Sequence, residues 1–202
     1  MYNDYWTRHK FSTLPDFHFK WPAIRKFVPK KPGLSILDFG CGPGLIISAM
    51  KEINPEAKYI GIDVSEKAVA KAKKRHAKDK FYVVADGDKF PLKAGSVDFI
   101  LTTDVIEHVY NTKKVFKEFR RVLKPGGKIL MTTPYHGLIK NLVIVLLAFE
   151  KIFNPTGPHI RFYTKKGLFE LFEEHRFKVE DHGYFGRFYP LSRGIFVLAK
   201  KV

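Results

Sequence analysis

The stretch Ile36-Leu37-Asp38-Phe39-Gly40-Cys41-Gly42-Pro43-Gly44 decides how the rest of the chain is read. A short apolar run, Ser35–Phe39, breaks at three alternating glycines and gives way to a helix-like segment over 45–53. Glycines at such a junction let the backbone turn tightly and come close to a ligand. The spacing is G-x-G-x-G. It misses the dinucleotide pattern G-x-G-x-x-G, because Leu45 takes the last place. Asp38 sharpens that difference. An acid just before the loop repels a pyrophosphate seated at the helix N-terminus, and it suits a ligand with an amino group or a positive charge.

Outward from this stretch the chain alternates strand-like and helix-like patterns. Lys58–Asp63, 81–85, 97–102 and 128–133 are short runs rich in β-branched and aromatic residues. Between them, Ser65 reads as the N-cap of a very basic helix with Ala68, Val69 and Ala72 on one face. Residues 112–123 place Val115, Phe116, Phe119 and Leu123 at helical spacing, and Lys124-Pro125-Gly126-Gly127 stops them. After Pro134 the pattern changes. Residues 141–153 are apolar nearly all round, 164–175 form a helix capped by Thr164, and 177–181 and 194–199 close as an antiparallel pair. Seven strands interleaved with helices make a doubly wound α/β fold with a mostly parallel sheet.

Two further acids complete a constellation. Asp63 ends the second strand, where a carboxylate can accept hydrogen bonds from both hydroxyls of a ribose. Asp86 follows the third strand and can accept from the exocyclic amine of adenine, with Gly87 leaving room for the ring. Taken singly, Asp63 and Asp86 also suit helix caps or turns. Together with Asp38 they lie at the carboxyl ends of parallel strands, where open α/β sheets bind ligands.

At these residues the chain resembles the class I S-adenosylmethionine-dependent methyltransferases, in particular the small-molecule branch that includes ubiquinone-pathway O-methyltransferases. ILDFGCGPG looks like that family's first motif and GIDVS like its second; Asp104-Val-Ile-Glu-His108-Val and LKPGGKILMTTP are similar to its fourth and fifth strand regions. The resemblance implies a sheet of order 3-2-1-4-5-7-6 with helices on both faces. It implies S-adenosyl-L-methionine as cofactor, held by Asp38, Gly40, Gly42, Gly44, Asp63, Val64, Asp86, Gly87 and Asp104. It also implies a single domain over 1–202, with 1–30 as an N-terminal cap, where Tyr5-Trp6-Thr7-Arg8 resembles a segment that closes over the cofactor. Residues 134–160 then form an insertion on the substrate side.

Methyl transfer to a hydroxyl, phenol or ammonium requires an acceptor that loses a proton, and a neutral histidine is suited to that near pH 7. His108, after the fourth strand, and His159, in a segment resembling the acceptor lining of the same branch, are the candidates. Asp104, Glu107 and His108 form a D-x-x-E-H group that some relatives use to hold a divalent metal. No metal is expected here, because the second histidine of the strongest metal binders is not evident. His18, His76 and His136 read as surface residues.

Composition bounds the partners. Lys and Arg number 36 against 20 Asp and Glu in 202 residues, a formal charge of +16, while 45% of residues are hydrophobic. Such a chain builds a full core and is not disordered. Its single cysteine, Cys41, excludes an intramolecular disulfide and a cysteine-based metal site. No leader pattern opens the sequence, and the apolar run 142–149 falls short of the roughly 20 residues that span a bilayer. A cytoplasmic enzyme is the expectation. The excess charge favours anionic partners: RNA, an anionic membrane surface or a phosphorylated substrate. Three functions follow in order: a methyltransferase for a small, lipid-like or aromatic acceptor; an RNA methyltransferase; and a non-catalytic cofactor-binding scaffold subunit. The run 142–149 itself reads most plainly as a buried helix, and otherwise as a lid for a greasy substrate or a contact with a membrane.

Overall fold

The computed structural model describes residues 16–153 and 159–202. Seven strands form one sheet in the order β3-β2-β1-β4-β5-β7-β6. The strands are β1 (Ser35–Phe39), β2 (Lys58–Asp63), β3 (Lys80–Val83), β4 (Val97–Thr103), β5 (Leu123–Pro134), β6 (Phe177–Phe185) and β7 (Gly194–Lys201). The first five pair in parallel, and β7 runs antiparallel to both β5 and β6.

A parallel sheet covered on both faces asks each central strand for apolar residues on both sides. The strands comply by alternation. Leu37, Ile100 and Ile129 enter one core layer with Phe116, Phe119 and Phe172. Their neighbours Ile36, Leu101 and Leu130 enter the other, with Ile47, Met50 and Tyr59.

The helices follow their caps. In α3 (Glu66–Arg75) the Ser65 hydroxyl accepts the Ala68 amide at 3.2 Å, and Ala68, Val69 and Ala72 are buried while Lys71, Lys73 and Lys74 face outward. In α4 (Thr112–Val122) Asn111 caps through the Lys114 amide, and Val115, Phe116, Phe119 and Val122 are buried. Thr164 caps α7 (Lys165–Glu174) by accepting the Gly167 amide at 3.1 Å. The helix after the glycine loop, α2, is Leu45–Lys51.

Three elements differ from the expectation. Helix α1 (Phe17–Ile24) occupies the cap segment and buries Trp21 and Ile24 in the second layer. Strand β5 begins at Leu123, which pairs with Val97 before the ladder resumes at Phe99 with Lys128; Lys124 to Gly127 therefore loop out within the strand instead of preceding it. The apolar segment is two helices, α5 (Leu138–Leu147) and α6 (Phe149–Ile152), broken at Ala148 with φ −154°. No residue of α5 is buried, so the reading as a core helix fails. Among the described residues no helix is long and apolar enough to cross a membrane.

Candidate active site

Parallel pairing aligns Asp38 with Gly61 on one side and Leu101 on the other, so β1, β2 and β4 bring their carboxyl ends to one level. The glycine loop is anchored there. The Gly40 and Cys41 amides both donate to the Ile62 carbonyl, at 2.8 and 3.0 Å, and the Gly42 amide donates to Asp63 Oδ2 at 2.8 Å. Gly40 has φ 76°, and a Cβ there would lie 2.2 Å from Val105 Cγ2, so no other residue fits. Gly44, with φ 78°, opens α2; its carbonyl lies 2.8 Å from His76 Nε2, which also meets Ser48 Oγ at 3.2 Å. His76 is thus a strut behind the loop, only 8% exposed, and not the surface residue its sequence context suggests. Burial lowers its pKa.

Asp38 is 1% exposed, and its Oδ2 is buried without a hydrogen-bond partner. Burial, reinforced by the charge of Asp63, pushes its pKa up to about 8. An orphaned buried carboxyl oxygen is costly. It fits a ligand that brings an ammonium group to that oxygen. Asp63 accepts the Gly42 amide on one oxygen and the Ser65 amide on the other, both at 2.8 Å, and keeps lone pairs for a diol. Burial raises its pKa while those amide bonds oppose the rise. Val64 is exposed beside it. Asp86 is exposed and accepts the amides of Tyr110 and Asn111, so it ties the β3 end to the start of α4. Gly87 is needed foremost for its φ of 81°.

Asp104 departs from expectation. It sits in the left-handed region at φ 52°, ion-paired to Lys20 of α1, and accepts the Thr132 hydroxyl at 2.9 Å. Both carboxylate oxygens meet protein groups, and the side chain is about a third exposed. Lys20 is 4% exposed, and no pattern in its basic surroundings marks it.

A second group of polar side chains gathers beyond β4 and β5. Glu107 is 1% exposed; Thr133 Oγ1 donates to its Oε2 at 3.1 Å, and its Oε1 has no partner. Burial, then the charge of Asp104, pushes its pKa up to about 8. The amides of Ile160 and Arg161 donate to the Glu107 carbonyl at 3.1 and 3.2 Å, which lays residues 159–163 across the mouth. The His108 and His159 rings are therefore 4.9 Å apart. Burial, then the charge of His108, lowers the pKa of His159. His136 joins them: it is 5% exposed, touches Phe162 edge-on at 4.8 Å, and its Nδ1 lies 3.1 Å from Asn141 Oδ1. Sequence reading placed it at the surface, although its position just past β5 is where this fold puts ligand contacts.

The D-x-x-E-H group does not converge as written. Asp104 turns to Lys20, while one ligand atom each from Glu107, His108 and His159 lies within 4.8 Å of the others. The second histidine missing from the motif is supplied from afar by His159. Set this close, the three are of the residue types that could hold a divalent ion. The segment Tyr5 to Arg8 lies outside the described residues.

Residues 37–131 match the family model described as a methyltransferase domain. The chain contains a methyltransferase domain. Its fold matches an S-adenosylmethionine-dependent methyltransferase from Aquifex aeolicus with a TM-score of 0.71 at 20% identity, covering 94% of each chain. S-adenosylmethionine is the cofactor of such domains. The domain is 32% identical over 143 residues to demethylmenaquinone methyltransferase of Lactococcus lactis, covering 68% of this chain and 56% of that protein. It is 30% identical over 134 residues to the ubiquinone biosynthesis O-methyltransferase of Idiomarina loihiensis, covering 63% and 54%. The chain spans about half the length of these curated relatives.

Proposed function

We propose that the chain transfers a methyl group from S-adenosylmethionine to a small, lipid-like or aromatic acceptor, without a metal. Bound in the strand-end cleft, the cofactor supplies a methyl carbon on a sulfonium, ready for in-line displacement. Asp38 takes its ammonium group and Asp63 its ribose, which fixes the direction of the methyl. Alignment of this kind is worth roughly 7–11 kcal/mol at best.

The observation that carries the reading is the pair of imidazoles over a buried carboxyl group. His159, its pKa lowered, stays neutral near pH 7 and can take the acceptor's proton, with His108 alongside it. Glu107, whose pKa burial pushes up to about 8, can hold a proton beside the two rings. Glu107 and Tyr135 are buried beside the half-buried His108 and the exposed His159, a setting that suits a small acceptor. The acceptors named for two relatives, both quinone-pathway enzymes, are of the same class.

The test is to incubate the protein with radiolabelled methyl donor and fractionated cell extract. Label should enter the lipid or small-molecule fraction; label in RNA would replace this reading. His108→Ala should cut turnover by about 10²–10⁴-fold while calorimetry shows cofactor affinity unchanged. Dialysis against EDTA should leave transfer intact, and a loss restored by added Mg²⁺ would instead assign Glu107, His108 and His159 to a metal.

A further inference from the structure

Helix α5 is built inside out. Its ten residues, Leu138–Leu147, hold two polar side chains, Lys140 and Asn141. Both are on the side that touches the protein. Lys140 Nζ donates to the carbonyls of Tyr135 at 2.6 Å and Arg193 at 3.2 Å, and Asn141 Oδ1 meets His136. The half-buried positions 140, 144 and 148 form a single stripe one turn apart. Everything else on the helix is aliphatic and faces outward; Leu146 is 79% and Leu147 81% exposed. In water a surface helix does the reverse. The patch continues through Phe149 and Ile152 of α6 and the aromatic tip Phe188-Tyr189 of the β6–β7 connection, all exposed. Tyr189 reaches this neighbourhood through Tyr135, at 6.2 Å between rings.

Charge selects the occupant. Arg187 and Arg193 are exposed at the foot of α5, close enough to lower the pKa of Lys140, whose burial is the larger cause. The whole chain carries +16. Two such chains repel each other across any shared face, whereas an anionic surface draws the chain in. Aliphatic side chains with Arg187 and interfacial aromatics beside them, and Arg193 paired to Asp16, match the boundary between headgroups and acyl chains.

We propose that the face formed by α5, α6 and Phe188-Tyr189 seats on an anionic lipid bilayer. The contact stands whether or not the proposed methyl transfer does. It deepens that reading in one respect: the Asn141–His136 bond ties the docked helix to the acceptor mouth, so a lipid-borne acceptor would arrive from the side of the membrane.

The experiment is vesicle flotation of the full chain, with phosphatidylcholine alone and with phosphatidylcholine and phosphatidylglycerol in equal parts. Binding is expected only to the mixed vesicles, weaker at high salt, and reduced about tenfold or more in Leu146→Ser/Leu147→Ser. Calorimetry with S-adenosylmethionine on the same variant reports folding independently of lipid. Arg187→Ala should weaken binding without abolishing it. No flotation, equal flotation on both vesicle types, or flotation indifferent to the double variant overturns the proposal. So does sedimentation equilibrium that finds a dimer which the double variant dissolves. Loss of methyl transfer with flotation intact would count against the enzymatic reading alone.

Discussion

Asp38 carries the sharpest consequences at the residue scale. In the unfolded chain its carboxyl ionises near 3.8, and in the folded one near 8. Between those values the folded state holds a proton that the unfolded state has lost, so rising pH favours unfolding until about 8 and then has no further effect. Asn at this position removes the penalty. The melting temperature of cofactor-free Asp38→Asn should pull ahead of the wild type as pH rises from 4 to 8; a constant gap would show that Asp38 is already ionised. Cofactor binding works the other way. An ammonium partner favours the carboxylate, so binding at pH 7 should expel nearly a full proton. Calorimetry in two buffers of different ionisation enthalpy reads that proton, which Asp38→Asn should lack. Asp63→Ala should cost two charge-assisted hydrogen bonds, about 3 kcal/mol or more, and leave no binding measurable by calorimetry. Unchanged affinity would refute the ribose role. The positions of both acids were legible in the sequence, because each lies at the carboxyl end of a strand two residues from a glycine. His76 and His136 were not: their burial depends on partners, Gly44 and Phe162, that lie 32 and 26 residues away.

At the scale of elements, a buried ammonium links α1 to the top of β4. Lys20→Met leaves Asp104 with Thr132 alone. Because Asp104 is about a third exposed, solvent softens the loss, and a destabilisation of about 1–2 kcal/mol is expected, not the full cost of breaking a buried pair. Lys20→Met/Asp104→Asn should regain most of it in thermal melts; a double variant no better than the single would deny the pairing. The strands and α3, α4 and α7 were readable from periodicity and caps, since both are local. α1 was not, because its Pro22 and mixed polarity give no clear stripe, and what holds it is contact with the second core layer. The reading of 141–153 erred for a related reason. Apolarity all round signals burial only if something covers the helix, and α5 is covered by nothing among the described residues but its polar stripe.

For the molecule as a whole, the order of strands carries a consequence for how the chain is made. β7 lies between β5 and β6, and pairs with each along nearly its whole length. β6 is synthesised earlier, yet among the described strands it has no other neighbour. Until residues 194–201 leave the ribosome, β6 has nothing to hydrogen-bond to and β5 presents a bare edge, a template for pairing between chains. A nascent chain arrested before Gly194 should therefore be protease-sensitive from Phe177 onward and prone to aggregate. Moving the arrest point far enough on for residues 194–201 to clear the exit tunnel should bring protection in one step. β7 acts as the keystone of this sheet, so its closure waits for a segment made after both of the strands it joins.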